Sequence, residues 1–370
     1  MGEGTRTSQG ARRAALIVAG LIVALAVSWL ARGEAPLSRD GLSMDTPVRI
    51  TAIGRDEARL SAALDDAYAL LARLDDELSM YREGSTVWEI NARAGGEAVP
   101  VSPDVEAVIA EAERISRLTD GAFAPLIGPL TRLWKIGRSE QDGRVYRPPT
   151  RASLDEALPL TSIDVLERRP GHVRLARPGA RLDLGGIAKG HASSKIAEMF
   201  AARGITSALI DIGGNVQVVG TRGGEPWRIG VRDPSDPRGA PALVLAVSDM
   251  AVITSGVYER YRIVDGVRRS HLIDPRTGMP IEEDLSSATV VSPDGTLADA
   301  LATALMIMGH DGAVRFLRDH PELGVGAVLI RQRERGIEIS ATEGLRSAIV
   351  RAVVEPTFFR DERSIVDGLP

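Results

Sequence analysis

Cysteine is absent from the 370 residues, which excludes disulfides, thiolate zinc sites, a cysteine nucleophile and a lipidated N-terminal cysteine. A cysteine-free chain suits either side of a membrane. Excess positive charge is absent too. Lys and Arg number 45 against 50 Asp and Glu, giving a formal net charge of −5, so no nucleic-acid partner is expected. Aromatics amount to only 4%. Histidine is scarce, and His172, His191, His271, His310 and His320 include no pair at the spacing of a helical zinc site. Gly-x-Ser-x-Gly, a Walker loop and a GxGxxG after a strand are all missing, so hydrolase, P-loop and Rossmann readings lose their anchors. What is present is ordinary globular composition, 44% hydrophobic and 26% charged. At roughly 150 residues per domain, the length fits two or three domains, or one large domain with appendages.

One long apolar run stands out. Residues 14–31 read AALIVAGLIVALAVSWLA after Arg6, Arg12 and Arg13, and about 18 helical residues span roughly 27 Å of hydrocarbon. A cleaved secretory signal is the alternative, but its apolar region is usually shorter and followed by a small-x-small site. The basic residues ahead of the run favour an N-terminus kept in the cytoplasm. The expected organisation is a cytoplasmic stub 1–13, a transmembrane anchor 14–31, a linker 32–43, a body 44–345 on the far side of the membrane, and a tail 346–370 without clear pattern.

Within the body, residues 46–53 alternate as a strand does. Leu60, Leu64, Ala67, Leu71, Leu74 and Leu78 follow on one helical face. Ser102, Pro103 and Asp104 read as the start of a second amphipathic helix carrying Val105, Val108, Ile109, Ala112 and Ile115. Residues 119–150 look like a long ordered loop. A strand ending in RLDLGG, a helix over about 187–203, strand-like runs SALIDI, NVQVVG, WRIGV, LVLAVS, YRIV and SATVV, a helix pair over about 297–308 and 311–319, and strands GAVLI and GIEIS complete the body. Helices and strands mix without strict βαβ alternation, so the class is α+β.

Four motifs could carry chemistry. Residues 183–190, DLGGIAKG, lead through two glycines into a helix, where open N–H groups beside Lys189 would suit a phosphate. A plain tight turn with a solvated lysine is the competing account. Residues 211–215, DIGGN, read most simply as a hairpin turn. Asp299 and Thr303, one helical turn apart, can share a hard cation. Alternatively, Asp299 closes a capping box with Thr296, and Thr303 bonds the carbonyl four residues back. Residues 271–278, HLIDPRTG, present His271 at a strand end, where a lone histidine is more often structural than catalytic.

In this order, the segments MDTPVRI, LSMYREGSTVWEINA, TDGAFAPLIGPLTRLW, DLGGIAKG, DIGGN, WRIGVRDP, ITSGVYERY, HLIDPRTG and DALATAL make the chain resemble the ApbE family of FAD:protein FMN transferases over about residues 44–345. The resemblance implies a T-fold-like body of mixed and antiparallel sheets flanked by helices. It implies FAD as substrate, Mg²⁺, and FMN transfer to a threonine hydroxyl of a partner protein with release of AMP. Asp299, Thr303 and a backbone oxygen of Gly186 resemble the Mg²⁺ ligands. Met44, Tyr81, Ala122, Phe123, Ala124, Asp183, Lys189 and Ile273 fall at FAD-contacting positions, Tyr81 against the adenine. His271 matches the proposed general base. Three positions depart from the family pattern: Ala124 replaces an Asp, His191 an aromatic residue and Ser194 an acidic one. With many relatives held by lipid, the apolar N-terminal helix is the expected anchor here, single-pass in the inner membrane with the body on the periplasmic side. The acceptor would then be a membrane-bound redox subunit. Water in place of threonine would make the chain a Mg²⁺-dependent FAD pyrophosphatase, and a non-catalytic flavin-binding protein is a third reading.

Overall fold

The structure, a computed structural model, describes residues 33–136, 146–236, 238–264, 266–282, 285–334 and 336–359. In chain order the strands begin with β1 (Ala35–Ser43), β2 (Thr46–Gly54), β3 (Val99–Pro100), β4 (Leu166–Arg169), β5 (His172–Leu175) and β6 (Ser207–Ile212). They continue with β7 (Asn215–Gly220), β8 (Trp227–Val231), β9 (Leu243–Val247), β10 (Ala251–Gly256), β11 (Tyr261–Val264) and β12 (Val267–Ser270). The last are β13 (Ser287–Ser292), β14 (Gly326–Arg333), β15 (Gly336–Thr342), β16 (Ile349–Ala352) and β17 (Thr357–Phe359). The helices are α1 (Glu57–Leu78), α2 (Thr86–Ala92), α3 (Pro103–Leu118), α4 (Gly128–Trp134), α5 (Arg151–Ala157), α6 (Ala188–Ala202) and α7 (Gly295–Asp319).

A nine-stranded sheet, ordered β1-β2-β6-β7-β10-β13-β14-β15-β17, organises the molecule. Its pairings are antiparallel except β15 with β17. Both faces of its centre are covered, which is why all six residues of β13 are buried. Alternation along β14 sorts the side chains: Ala327 and Leu329 join the core on the helical side, Val328 and Ile330 the core on the other. Helices α1, α6 and α7 supply the first cover, and a small sheet ordered β16-β9-β8 supplies the second, through Trp227, Ile229, Leu243 and Leu245.

The helices form for reasons visible in their sequences. Asp56 accepts the Arg59 N–H at 3.1 Å to start α1, whose apolar residues at steps of four and three are all buried. Ser102 caps α3 on the Val105 N–H, with Pro103 in the first turn. Helix α7 breaks at Gly309, where φ 70° and ψ 176° end one helical segment and begin the next, as the division of its pattern suggests.

Several expectations change. The segment expected as linker contains β1, paired along its whole length with β2; as a polar edge strand it has no apolar alternation to reveal it. The tail contributes β16 and β17, of four and three residues, too short for a periodic signal. Within 119–150 lies α4, packed with α5 and Ile273 around Trp134 and Leu130. RLDL forms no strand. The side-chain amide of Asn91 takes its place as partner, accepting the Leu182 N–H at 2.6 Å and donating to the Leu182 carbonyl at 2.9 Å. The apolar run 14–31 lies outside the described residues, and among those described no helix is long and apolar enough to cross a membrane.

Helices α6 and α7 touch at two glycines. A methyl group on Gly190 would sit 2.0 Å from the Gly295 carbonyl oxygen and 2.6 Å from Asp299 Cβ. Gly190→Ala is therefore expected to push the helices apart and cost about 1–3 kcal/mol, read as a lower denaturation midpoint in urea; an unchanged midpoint would contradict this packing.

Candidate active site

The DLGG turn is pinned from both sides. Asp183 donates its N–H to the Pro125 carbonyl at 2.8 Å. Its carboxylate accepts the Gly185 N–H at 3.0 Å and the Thr131 hydroxyl at 3.3 Å. Gly186 is required by proximity, since a Cβ there would lie 3.2 Å from Thr303 Oγ1 and 3.3 Å from the Phe123 ring. The open helix start expected at this turn is mostly filled. Leu184 O accepts the Ala188 N–H, and Asp299 Oδ2 accepts the Gly190 N–H at 2.9 Å. The Lys189 side chain reaches back to the Gly185 carbonyl at 3.3 Å.

Asp299 is thus a cap, but for another helix. Asp294, not Thr296, caps α7, accepting the Thr296 and Leu297 N–H groups at 2.8 and 3.3 Å. The capping box is therefore not formed, and Asp299, 3% exposed, points across to α6. Its second oxygen takes no bond from a described residue. Thr303 Oγ1 lies 3.4 Å from Ser255 Oγ on β10.

His271 closes the β11–β12 hairpin. Its backbone N–H and its Nδ1 both meet the Arg260 carbonyl, at 3.0 and 2.9 Å. A carbonyl only accepts, so Nδ1 carries the proton and Nε2 keeps the lone pair. Desolvation, aided by the charges of Arg260 and Lys189 and opposed by the bond to the Arg260 carbonyl, pushes its pKa down to about 4. The ring is neutral at pH 7.

Met44 and Asp45 form the β1–β2 turn with φ of 52° and 55°, a left-handed pair that costs most residues energy. The turn places both at a cleft of about 500 Å³. Every site residue expected from the sequence lines this same cleft: Met44, Tyr81, Ala122, Phe123, Ala124, Asp183, Gly186, Lys189, His271, Ile273, Asp299 and Thr303. His191 and Ser194 do not. Ser194 caps α7 by accepting the Gly295 N–H at 2.8 Å. His191 is buried between α6 and α7, near Thr296, and burial lowers its pKa. Those two departures from the family pattern therefore fall on the helix junction.

Sequence reasoning missed three cleft residues. Glu259 and Ser255 sit in ITSGVYERY, a segment quoted for resemblance only. The Glu259 side chain keeps contact with water but is walled by protein. That desolvation raises its pKa, Lys189 opposes the rise and Asp299 adds to it. Asn215, read as a turn residue, is 4% exposed and its Nδ2 has no hydrogen-bond partner. A buried donor on a cleft wall is satisfied by an ordered water or by an acceptor of a bound ligand.

No group of three or more His, Asp or Glu side chains gathers as a metal site among the described residues. Asp299, Thr303, Ser255 and the backbone at Gly186 instead form an oxygen-only set with one carboxylate. That set suits Mg²⁺, which commonly binds one or two carboxylates and completes its shell with water and phosphate.

The model of the ApbE family matches residues 44–328. A protein of Treponema pallidum named FAD:protein FMN transferase is 36% identical over 310 residues, covering 79% of this chain and 84% of the relative. The solved flavin transferase ApbE from Vibrio cholerae superposes with a TM-score of 0.76 at 29% identity, over 85% of this chain and all of that one. The ApbE protein of Thermotoga maritima gives 0.76 at 31% identity, over 86% and 100%.

The depressed His271 pKa has a signed consequence. Because the folded state favours the neutral ring, its stability is fully present above the ordinary value of 6.5 and is lost as pH falls toward about 4. In a pH series of thermal melts, His271→Gln should lose less stability than the parent across that window; parallel curves would refute the assignment.

Proposed function

The chain belongs to the ApbE family, and on that premise we propose that it is a FAD:protein FMN transferase, moving FMN from FAD to a threonine hydroxyl of a partner protein with Mg²⁺ and releasing AMP. The observation that carries the reading is the convergence, in one cleft, of the Asp299 and Thr303 oxygens, the Gly186 turn, Lys189 and a neutral His271.

When bound at Asp299, Thr303 and the Gly186 backbone, Mg²⁺ would supply Lewis-acid neutralisation of the diphosphate. The residues of the chain do the rest. Lys189, aided by the dipole of α6, would face phosphate oxygens with positive charge. Asn215 Nδ2 offers an unused donor to the same ligand, and Tyr81, 49% exposed, offers a flat face for adenine. His271 Nε2 accepts the proton of the attacking hydroxyl. The new bond joins threonine oxygen to the FMN-side phosphorus, the bond from that phosphorus to the bridging oxygen breaks, and AMP departs with the electron pair. The apolar segment 14–31 would tether the enzyme to the inner membrane with its body on the periplasmic side, beside membrane-bound redox acceptors.

Asp299→Asn separates the two tasks of that carboxylate. Its amide oxygen can still cap Gly190, so melting should change little, whereas covalent flavin fluorescence on a threonine-bearing acceptor should fall on the order of 100-fold or more. Release of free FMN instead of acceptor labelling by the unmodified protein would favour hydrolysis over transfer. Asn215→Leu removes a buried unpaired donor, so its melting midpoint should hold or rise, while FAD affinity by flavin fluorescence should drop about tenfold.

A further inference from the structure

The hairpin that ends on His271 is a two-stranded sheet of its own. Its register sets Tyr261 opposite Ser270, Arg262 opposite Arg269, Ile263 opposite Arg268 and Val264 opposite Val267. Tyr261 and Ile263 share one face with Arg268, whose guanidinium lies 4.0 Å from the Tyr261 ring centroid. That face is left to solvent: Ile263 is 68% and Tyr261 48% exposed, and Val267 on the other face is 48% exposed. Exposed aliphatic residues on an open-edged hairpin contribute little to folding and invite pairing with another chain.

The charge on this hairpin is equally one-sided. Residues 260–271 hold Arg260, Arg262, Arg268 and Arg269 against a single aspartate, in a chain whose overall charge is negative. The side chains of Arg260 and Arg269 make no hydrogen bond or ion pair with any described residue. Arg262 and Arg269 stand directly across from each other on the opposite face, where Arg262 donates to the Lys135 carbonyl at 3.2 Å and lies 4.3 Å from the Tyr146 ring centroid. An acidic partner would meet Arg260, Arg268 and Arg269.

Position selects the class of partner. The same Arg260 carbonyl that closes the hairpin holds both the backbone and the ring of His271, and Arg260 and His271 line the cleft. A polypeptide lying along the hairpin is thereby led to the histidine.

We infer that the β11–β12 hairpin is the docking surface for the acceptor, and that it selects an extended segment combining acidic with aliphatic residues near the threonine to be modified. Main-chain pairing at the hairpin edge and pockets between side chains would give affinity. The arginines would give speed of encounter and discrimination against basic segments. The inference rests on the transferase reading and names the class of its protein substrate.

The test uses the full chain in detergent with FAD and Mg²⁺, and two fluorescent threonine peptides of equal length. One has Asp, Glu and Leu around the threonine, the other Lys and Leu. Binding is followed by anisotropy and FMN attachment by mass. The acidic peptide should bind more tightly. Ile263→Ser and the pair Arg268→Glu with Arg269→Glu should each weaken it about tenfold, with FAD affinity and melting midpoint unchanged, and the charge-reversed pair should bind the basic peptide better than the parent does. Equal binding of both peptides by the parent, or acidic-peptide binding indifferent to these substitutions, overturns the inference. So does a charge reversal whose only effect is looser attachment to phosphatidylglycerol vesicles, which would make the hairpin a lipid contact. Selective binding of the acidic peptide without FMN attachment supports the docking surface and overturns only the transfer chemistry.

Discussion

The hydrogen bond from the Gly190 N–H to the carboxylate of Asp299 joins the two helices that meet at the site. Burying an ionised carboxylate is costly unless hydrogen bonds or opposite charge compensate it. Here the positive end of α6 provides both, because Gly190 lies in its first turn and the aligned peptide dipoles favour an anion there. The contact in turn demands that two backbones nearly touch, which is why Gly190 and Gly295 face each other with no room for a side chain on either. The helix crossing, the fixed position of Asp299 and the closeness of Gly186 to Thr303 are three aspects of the same packing.

This arrangement explains why the acid has two oxygens with different fates. One is consumed by structure. The other takes no bond from a described residue, in a side chain that lines the cleft together with Thr303, one turn further along α7, and Ser255 on β10. A metal bound there would meet few protein ligands, leaving coordination positions for phosphate. One carboxylate beside hydroxyl and backbone oxygens is too sparse for a metal cluster of side chains, and would suit a hard cation that completes its shell with water and phosphate.

Much of the scaffold could be read from the residues, because α1 and α3 advertise their buried faces by apolar spacing and their starts by Asp56 and Ser102. The sites of failure share a cause. Strand β1 is polar and gains its order from pairing with β2; RLDL looks like a strand and is instead tied to the side chain of Asn91; the partner of Asp299 sits more than a hundred residues away in sequence. Local pattern carries no record of such tertiary partners. The candidate site became legible through its motifs taken in order, which picked out residues that do line one cleft. Glu259 and Asn215 escaped, since a carboxylate before an arginine and an asparagine after two glycines look alike in loops and in clefts. The unpaired state of Asn215 Nδ2 exists only once the chain is folded around it.

The cleft has two unlike sides, and His271 joins them. On one side are the oxygens, Lys189 and the glycine turn, held by the α6–α7 contact and by the bonds of Asp183 to Pro125, Gly185 and Thr131. On the other is a small hairpin with a solvent-facing apolar and basic surface. Both bonds of His271 to Arg260 converge on one carbonyl oxygen, so the imidazole is tied to the closed end of the hairpin and keeps its tautomer-defining contact as long as that end stays closed. A ring held this way keeps Nε2 unprotonated at neutral pH and aimed by the hairpin rather than by the core. On the transferase reading, the proposed base is thereby oriented by an element whose apolar residues are open to a second protein, while the oxygens across the cleft are fixed independently by Asp299 and the glycine turn.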